Sequence, residues 1–414
     1  MTDFILSSNQ SSVILRNLQE RQVKDLSYEV GESYPILAKQ YKEIQAVNSS
    51  SVTYGGEIAF NLNKSMLLRD MMIRSSFTTT TTSLPISMPI GLNLFEWVQL
   101  RTNNKVIMTI SDSYILARTQ QCSQAKQMAI YRRALPLLST TEVPTLTLTP
   151  VTYTPIFSSF FETIENAFDL NFYEQLSLVC KVNQQGRGGF LYGCTSLTAT
   201  LWVWTYRPDD KFYDLLRAKN QNPSKPLTML AYNTYTESQV LTSTTSNTMR
   251  LNVNFPVFNT YVMIKATSTA MLAQQVKIDS FTFSVGGTKL LETVPFLVAD
   301  WESASSGSSA IIPSTYTGQA AGGLPAYTTV ISNDSKVICI NWGIEPWNRV
   351  SNSGAISFAQ INYPSIVVAT TAANITGLTG YSAIGDMTLT VVHEYFNVLQ
   401  LDSANGSVNV SASS

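Results

Sequence analysis

The sequence predicts an all-β chain made of two consecutive antiparallel domains of one topology, preceded by a short N-terminal helical arm. Three observations carry that expectation. Apolar residues alternate with period two through most of the chain, the two halves repeat one another in order, and the best polar, proline-bearing linker lies near the middle. A chain of 414 residues is long for one β-domain and comfortable for two, since such units often run to roughly 200 residues.

The arm comes first. From Ser12 to Ala46 the chain is rich in Glu, Lys, Arg, Gln and Leu, with a single Pro and a single Gly. Val13, Leu15, Leu18, Val23 and Leu26 form an imperfect helical stripe with Ser11 or Ser12 as its cap. Ile36, Leu37, Tyr41 and Ile44 fall near helical spacing, which predicts a second helix over Pro35 to Ala46.

Beyond Ser50 the texture changes to strands. Ile58, Phe60 and Leu62 share one face of an alternating run. Leu197 to Tyr206 and Met387 to Phe396 are β-branched and aromatic at period two, as pleated sheets require. Helical signals nearly vanish, with one exception at Pro208 to Arg217, where Asp209 caps a turn that puts Phe212, Leu215 and Leu216 on one face. Ala218 to Pro226, polar with two prolines, follows as the linker.

The halves on either side match. A shift of 191 lays Phe60–Arg74 over Leu251–Lys265, so that Met72-Ile73 meets Met263-Ile264 and Arg74 meets Lys265. A shift of 183 lays Val98–Lys105 over Phe281–Thr288, each a strand, a tight turn and a strand. The turns, Asn103-Asn104 and Gly286-Gly287, are residue types that accept positive φ. A shift of 190 pairs the late strands, Leu197–Tyr206 with Met387–Phe396. Three matches in one order argue for a duplicated unit of about eight strands, and an antiparallel unit of this length fits an eight-stranded jelly roll. The expected division is residues 1–50 for the arm, 51–217 for the first barrel, 218–226 for the linker and 227–414 for the second barrel.

Composition narrows the function. Charged residues make up only 13% of the chain, about half the usual share, and mean hydropathy is +0.04. A surface so poor in charge suits a protein whose flanks are covered by copies of itself. The formal net charge of −1 gives no basic footprint for gripping nucleic acid. The start of the chain lacks a signal-peptide pattern, and no run is long and apolar enough to span a bilayer. Cys122, Cys180, Cys194 and Cys339 show no metal-ligand spacing and are expected as buried, reduced thiols.

Catalytic patterns are scarce. His393, the single histidine, sits in an alternating strand and outside any triad motif, so a structural or surface role is expected. Gly186-Arg-Gly-Gly189 lacks phosphate-loop spacing and reads as an inter-strand turn. Glu162 and Glu165 read as solvated loop carboxylates. Ser305 to Ser309 and Gly318 to Gly323 mark a long surface excursion. Asn48, Asn374 and Asn405 begin acceptor triplets for glycosylation that chance explains in so Asn-, Ser- and Thr-rich a chain. No catalytic, metal or cofactor site is expected.

Three segments resemble the double jelly-roll major capsid proteins of tailless, mostly membrane-containing icosahedral viruses. The first is Phe60–Arg74 followed by Leu94–Ile107, similar to that family's opening strand and hairpin, with Asn103-Asn104 in place of a Gly-Gly turn. The second is Gly354–Ile366, similar to its Gly-x-Ile-x-Phe-x-x-Ile stretch. The third is Val391–Leu401 with Ala404-Asn-Gly406, similar to its closing Tyr-x-Asn-Val-Leu segment. The resemblance runs in order from about Ile58 to Val410. It implies a non-enzymatic shell protein of the virion, synthesised in the host cytoplasm, forming homotrimers whose six barrels imitate a hexagon. The implied partners are neighbouring capsomers, minor capsid, penton or membrane proteins, and an internal lipid membrane, without sequence-specific nucleic acid. On this reading Val13, Leu15, Arg16, Leu18, Arg21 and Lys24 of the arm face the inner side, against lipid or a neighbouring subunit. The rival expectation is a jelly-roll carbohydrate-binding or adhesion protein of a virion.

Overall fold

The computed structural model describes residues 36–47, 51–62, 67–79, 90–102, 105–122, 124–134, 151–158, 168–171, 175–184, 194–208, 210, 214, 227–266, 274–293, 337–343, 354–376, 383–402 and 407–412. Four antiparallel sheets dominate them, two in each half of the chain.

In the first half, one sheet has the order β1-β9-β3-β6, from β1 (Ile36–Gln45), β9 (Cys194–Pro208), β3 (Leu67–Thr79) and β6 (Val151–Pro155). The short β7 (Phe168–Asp169) also pairs with β3. The facing sheet is β2-β8-β4-β5, from β2 (Glu57–Asn61), β8 (Leu176–Val182), β4 (Phe95–Thr102) and β5 (Lys105–Ser111). Alternation decides what lies between them: Leu201 and Val203 of β9 and Met71 and Ile73 of β3 are buried in one core with Ile58, Phe60, Val98 and Leu178. Trp202 and Trp204 consequently point to the opposite face.

The second half repeats the plan. Its larger sheet runs β10-β19-β12, from β10 (Leu227–Val240), β19 (Met387–Asp402) and β12 (Pro256–Ala266), with β13 (Gln274–Val276), β16 (Val337–Asn341) and β17 (Ile356–Ser357) pairing β12 and β20 (Ser407–Ala412) pairing β19. The other sheet is β11-β18-β14-β15, from β11 (Asn247–Arg250), β18 (Ser365–Ala369), β14 (Ser280–Val285) and β15 (Thr288–Thr293). In each half the strands of a sheet therefore come from the same places along the chain, and two four-strand sets enclose one core. The fold is two consecutive jelly rolls.

The repeat reaches single residues. Thr102 pairs Lys105 and Val285 pairs Thr288, so both hairpins close over two residues. Gly286 and Gly287 have φ of +55° and +84°, the paired left-handed conformation that a tight hairpin demands. Both hairpins carry a bulge at the same place: Ile107 is the extra residue between Val106 and Met108 of β5, and Leu290 between Lys289 and Leu291 of β15.

Two expectations fail. Ile36–Gln45 is a ten-residue strand paired with β9, not a helix. The ladder with β9 satisfies the backbone groups along one of its edges, and Ile44 packs against the first core. Helix also appears where none was expected, as α1 (Asp112–Gln120) and α2 (Gln124–Ala134). Ser111 caps α1 by accepting from Tyr114 N at 3.2 Å, and Tyr114, Ile115, Leu116 and Ala117 are all buried. A helix buried all round shows no amphipathic stripe. In the 208–217 segment, Asp210 and Asp214 are helical. Phe212, Leu215, Leu216 and the 218–226 linker lie outside the described residues.

Candidate functional site: the seam between the barrels

The first core does not stop at its own barrel. Tyr261 and Met263 of β12, Val337 and Cys339 of β16 and Val392 of β19 belong to it as well. Their neighbours on the same strands, Val262, Ile264 and Val391, face the second core. The larger sheet of the second barrel is thus buried on both faces, one in its own barrel and one beneath β5 and α1.

The edge strands meet through side chains. Asn233 Oδ1 on β10 accepts from Thr109 N at 2.8 Å, Thr234 Oγ1 donates to Thr109 O at 2.7 Å, and the hydroxyls of Ser111 and Thr236 lie 3.1 Å apart. Two exposed edges are blunted against each other in this way.

Deeper in the seam lies a buried polar cluster. Glu394 is fully buried, and a carboxylate there needs donors. Tyr114 OH from α1 donates to Oε1 at 2.5 Å, Asn259 Nδ2 to Oε2 at 2.9 Å and Tyr261 OH to Oε2 at 2.8 Å. Tyr261 OH also lies 3.0 Å from Gln121 Oε1, so its one proton has two acceptors to choose between. Beside it Lys265 Nζ sits 2.7 Å from Asp112 Oδ2 and 3.1 Å from Ser113 Oγ. Gln120 Nε2 donates to Gln275 Oε1 at 2.9 Å. The contacts made by Tyr114, Gln121, Asp112, Ser113 and Gln120 join the first half of the chain to the second and fix the relative position of the two barrels.

His393, next in sequence to Glu394, points the other way, into the second barrel. Trp342 Nε1 donates to Thr260 Oγ1 at 3.0 Å, and the same hydroxyl lies 3.2 Å from His393 Nδ1. On the other side of the ring Nε2 faces Glu237 Oε2 at 3.7 Å. Burial pushes the imidazole pKa below its ordinary value, opposed by Glu237. Phe358 covers the ring with centroids 5.5 Å apart. Enclosed in this way, His393 has the structural role expected of it.

Cys122, Cys180 and Cys339 are buried thiols, as expected. Asn374 donates to Asp279 Oδ2 at 2.9 Å from within α3 (Ala372–Thr376). Val13, Leu15, Arg16, Leu18, Arg21 and Lys24 lie outside the described residues. So do Glu162, Glu165, the 186–189 glycine cluster, the 305–309 and 318–323 stretches, Asn48 and Asn405. Among the described residues no group of three or more metal-ligating side chains comes together, and no helix is long and apolar enough to cross a membrane.

Two surface features stand apart. On the outer face of the first barrel Tyr41, Tyr153, Trp202 and Trp204 form an aromatic stripe, with Trp202 5.4 Å from Tyr41 and 5.3 Å from Tyr153, and Tyr41 5.6 Å from Trp204. Tyr41 is 48% exposed. On the second barrel the bulge residue Leu290 is 55% exposed.

No family model and no curated protein matches the sequence. Solved structures do match in fold. The PBCV-1 virus capsid in its quasi-atomic model aligns at a TM-score of 0.64 and 14% identity, covering 94% of this chain and 100% of that one. The Faustovirus major capsid protein aligns at 0.56 and 10% identity, covering 96% and 99%. The mavirus major capsid protein aligns at 0.50 and 11% identity, covering 93% and 92%. These likenesses span both barrels and show a shared double jelly-roll fold.

Proposed function

We propose that this chain is the major capsid protein of an icosahedral virus, a shell subunit of the virion and not an enzyme. One observation carries the reading: each chain holds two barrels of one topology joined by a buried seam, which suits a pseudo-hexagonal tile of six barrels. Three such chains complete the tile, and a closed ring leaves no unpaired half-seam. The fold shared with viral capsid proteins supports the same role.

On this reading the protein is made in the host cytoplasm and assembles as a homotrimer. Its trimers tile against neighbouring capsomers and meet minor capsid, penton or membrane proteins at special positions of the shell. On this reading the first barrel begins with β1 at Ile36 and not at residue 51, and the linker lies at 218–226. The arm, with Val13, Leu15, Arg16, Leu18, Arg21 and Lys24, faces the interior, against a neighbouring subunit or an internal membrane.

Light scattering of the purified chain after size exclusion, with negative-stain images of the same peak, tests the proposal. The expected result is a particle of three times the 45.7 kDa chain mass with a hexagonal outline. A monomer that persists at high concentration refutes it.

A further inference from the structure

The internal repeat places the two open surface features against each other. In the first barrel Ile73 pairs Leu201, and in the second Ile264, its match by sequence, pairs Leu389. Counting three residues onward, Trp204 stands where Val392 stands, two residues before the position that the sequence shift of 190 gives. Tyr41 pairs Trp204 and Thr236 pairs Val392, so Tyr41 stands where Thr236 stands. Likewise Ile107 and Leu290 are the same bulge residue in their hairpins.

The environments of these equivalents differ in one consistent way. Val392 and Ile107 are each 0% exposed and share the core that runs through the seam, and Thr236 touches Ser111 across it. Tyr41 and Leu290 are half exposed, at 48% and 55%, and Trp204 is only partly covered. The chain therefore makes the seam once, between β5 of the first barrel and β10 of the second. It carries the other two halves uncovered, with β1 in the role of β10 and the β14–β15 hairpin in the role of β4–β5. Among the described strands β1 pairs with β9 alone.

We propose that the outer aromatic face around β1, with Tyr41, Tyr153, Trp202 and Trp204, docks on the Leu290 bulge of the β14–β15 hairpin of a second copy of this chain, repeating the internal seam. The contact is head-to-tail, each copy offering one half to each of two neighbours. Half-exposed aromatics with polar tips suit an interface that must stay soluble before it closes. The inference rests on the trimeric reading above and specifies which faces make it.

Three arms test it on the full-length chain. In light scattering, Leu290→Lys and Tyr41→Lys are each expected to weaken assembly by roughly thirty-fold or more, as loss of a central anchor does. Val240→Lys, a control at the far end of β10 where the side chain is 53% exposed, is expected to assemble like the parent. Unchanged thermal melting of the separated chains shows that the lysine variants still fold. For cross-linking, Lys39→Cys and Leu290→Cys are combined and treated with a short bifunctional maleimide. The double variant is expected to run as a covalent three-chain species on a denaturing gel, while each single variant and the parent run as single chains. A parent trimer that survives both lysine substitutions, or that cross-links through either single variant, overturns the assignment of faces and leaves the trimer standing. A monomeric parent overturns the assignment and the trimer together.

Discussion

Tyr114→Phe isolates one hydrogen bond that spans the seam. The substitution removes a single oxygen, keeps the ring and preserves the edge contact to Tyr261, whose ring centroid lies 6.0 Å away. What is lost is the 2.5 Å bond to Glu394 Oε1. A bond to a carboxylate contributes about 1.5–3 kcal/mol, roughly twice a neutral one, and Glu394 is 0% exposed, so water does not replace the donor. The expected loss is therefore about 2–3 kcal/mol. Glu394→Gln supplies the second corner of a cycle. A glutamine oxygen in the Oε2 position keeps the bonds from Asn259 and Tyr261, while the amide nitrogen donates to Tyr114, whose hydroxyl accepts equally well. In that background Tyr114→Phe should cost only about 1 kcal/mol, a coupling of about 1–2 kcal/mol.

Urea unfolding at fixed chain concentration, followed by tryptophan fluorescence and far-ultraviolet circular dichroism, measures all four corners. Holding concentration fixed removes the contribution of assembly. Coincidence of the two probes establishes whether a single free energy is defined. The reasoning fails if Tyr114→Phe lies within about 0.5 kcal/mol of the parent, or if its cost is the same with Glu or Gln at 394, because a charge-assisted bond requires coupling.

The remaining predictions use the same assay. Gly91→Ala should destabilise by about 1–3 kcal/mol, because a Cβ there would stand 2.2 Å from the carbonyl oxygen of Tyr153, and backbone cannot rotate aside. Gly287→Ala should cost about 1–2 kcal/mol although nothing crowds the position, since φ of +84° disfavours any side chain; Gly287→Asn should lose less. For His393, whose folded pKa is depressed, the unfolded chain takes up the proton first as pH falls. Its contribution is whole above the unfolded value of about 6.5 and lost below it, by at most about 1.4 kcal/mol per pH unit until the folded value is reached. His393→Gln should flatten that part of the stability profile, and an unchanged slope refutes the assignment.

Much of the fold was legible because strand alternation survives burial. Leu201 and Val203 against Trp202 and Trp204 separate core from surface with no knowledge of partners. The Gly286-Gly287 turn was equally legible, since few other residue pairs accept two positive φ values. β1 misled because Ile36, Tyr41 and Ile44 fall near helical spacing by accident. As an edge strand it carries Lys39, Lys42 and Glu43, which blunt the edge and erase the alternation. α1 was hidden by its success: with Tyr114, Ile115, Leu116 and Ala117 all buried, nothing polar marked a face. Its Ser111-Asp112 start was the one available signal. The seam was invisible for a different reason. Tyr114 and Glu394 meet across 280 residues, and neither side chain announces a partner at that distance.

The two kinds of seam differ in chemistry for a reason that follows from when each forms. The internal seam closes within one chain, so burial of Glu394 and of the Lys265–Asp112 pair is set against no loss of translational freedom. Such polar groups contribute little net stability, but they fix one relative position of the barrels by making every other arrangement leave a charge unpaired. The proposed intermolecular seam must instead be carried through solution by each free chain. A buried-type carboxylate there would hold its water against docking, whereas Tyr41, Trp202 and Trp204 lose little on exposure and gain apolar contact and ring packing when covered. On the proposed assembly, duplication supplied the geometry twice, and substitution made one copy rigid and the other adhesive. The proposed tile needs both properties, because a barrel pair that flexed at its internal seam would spoil the angle at which the next chain binds.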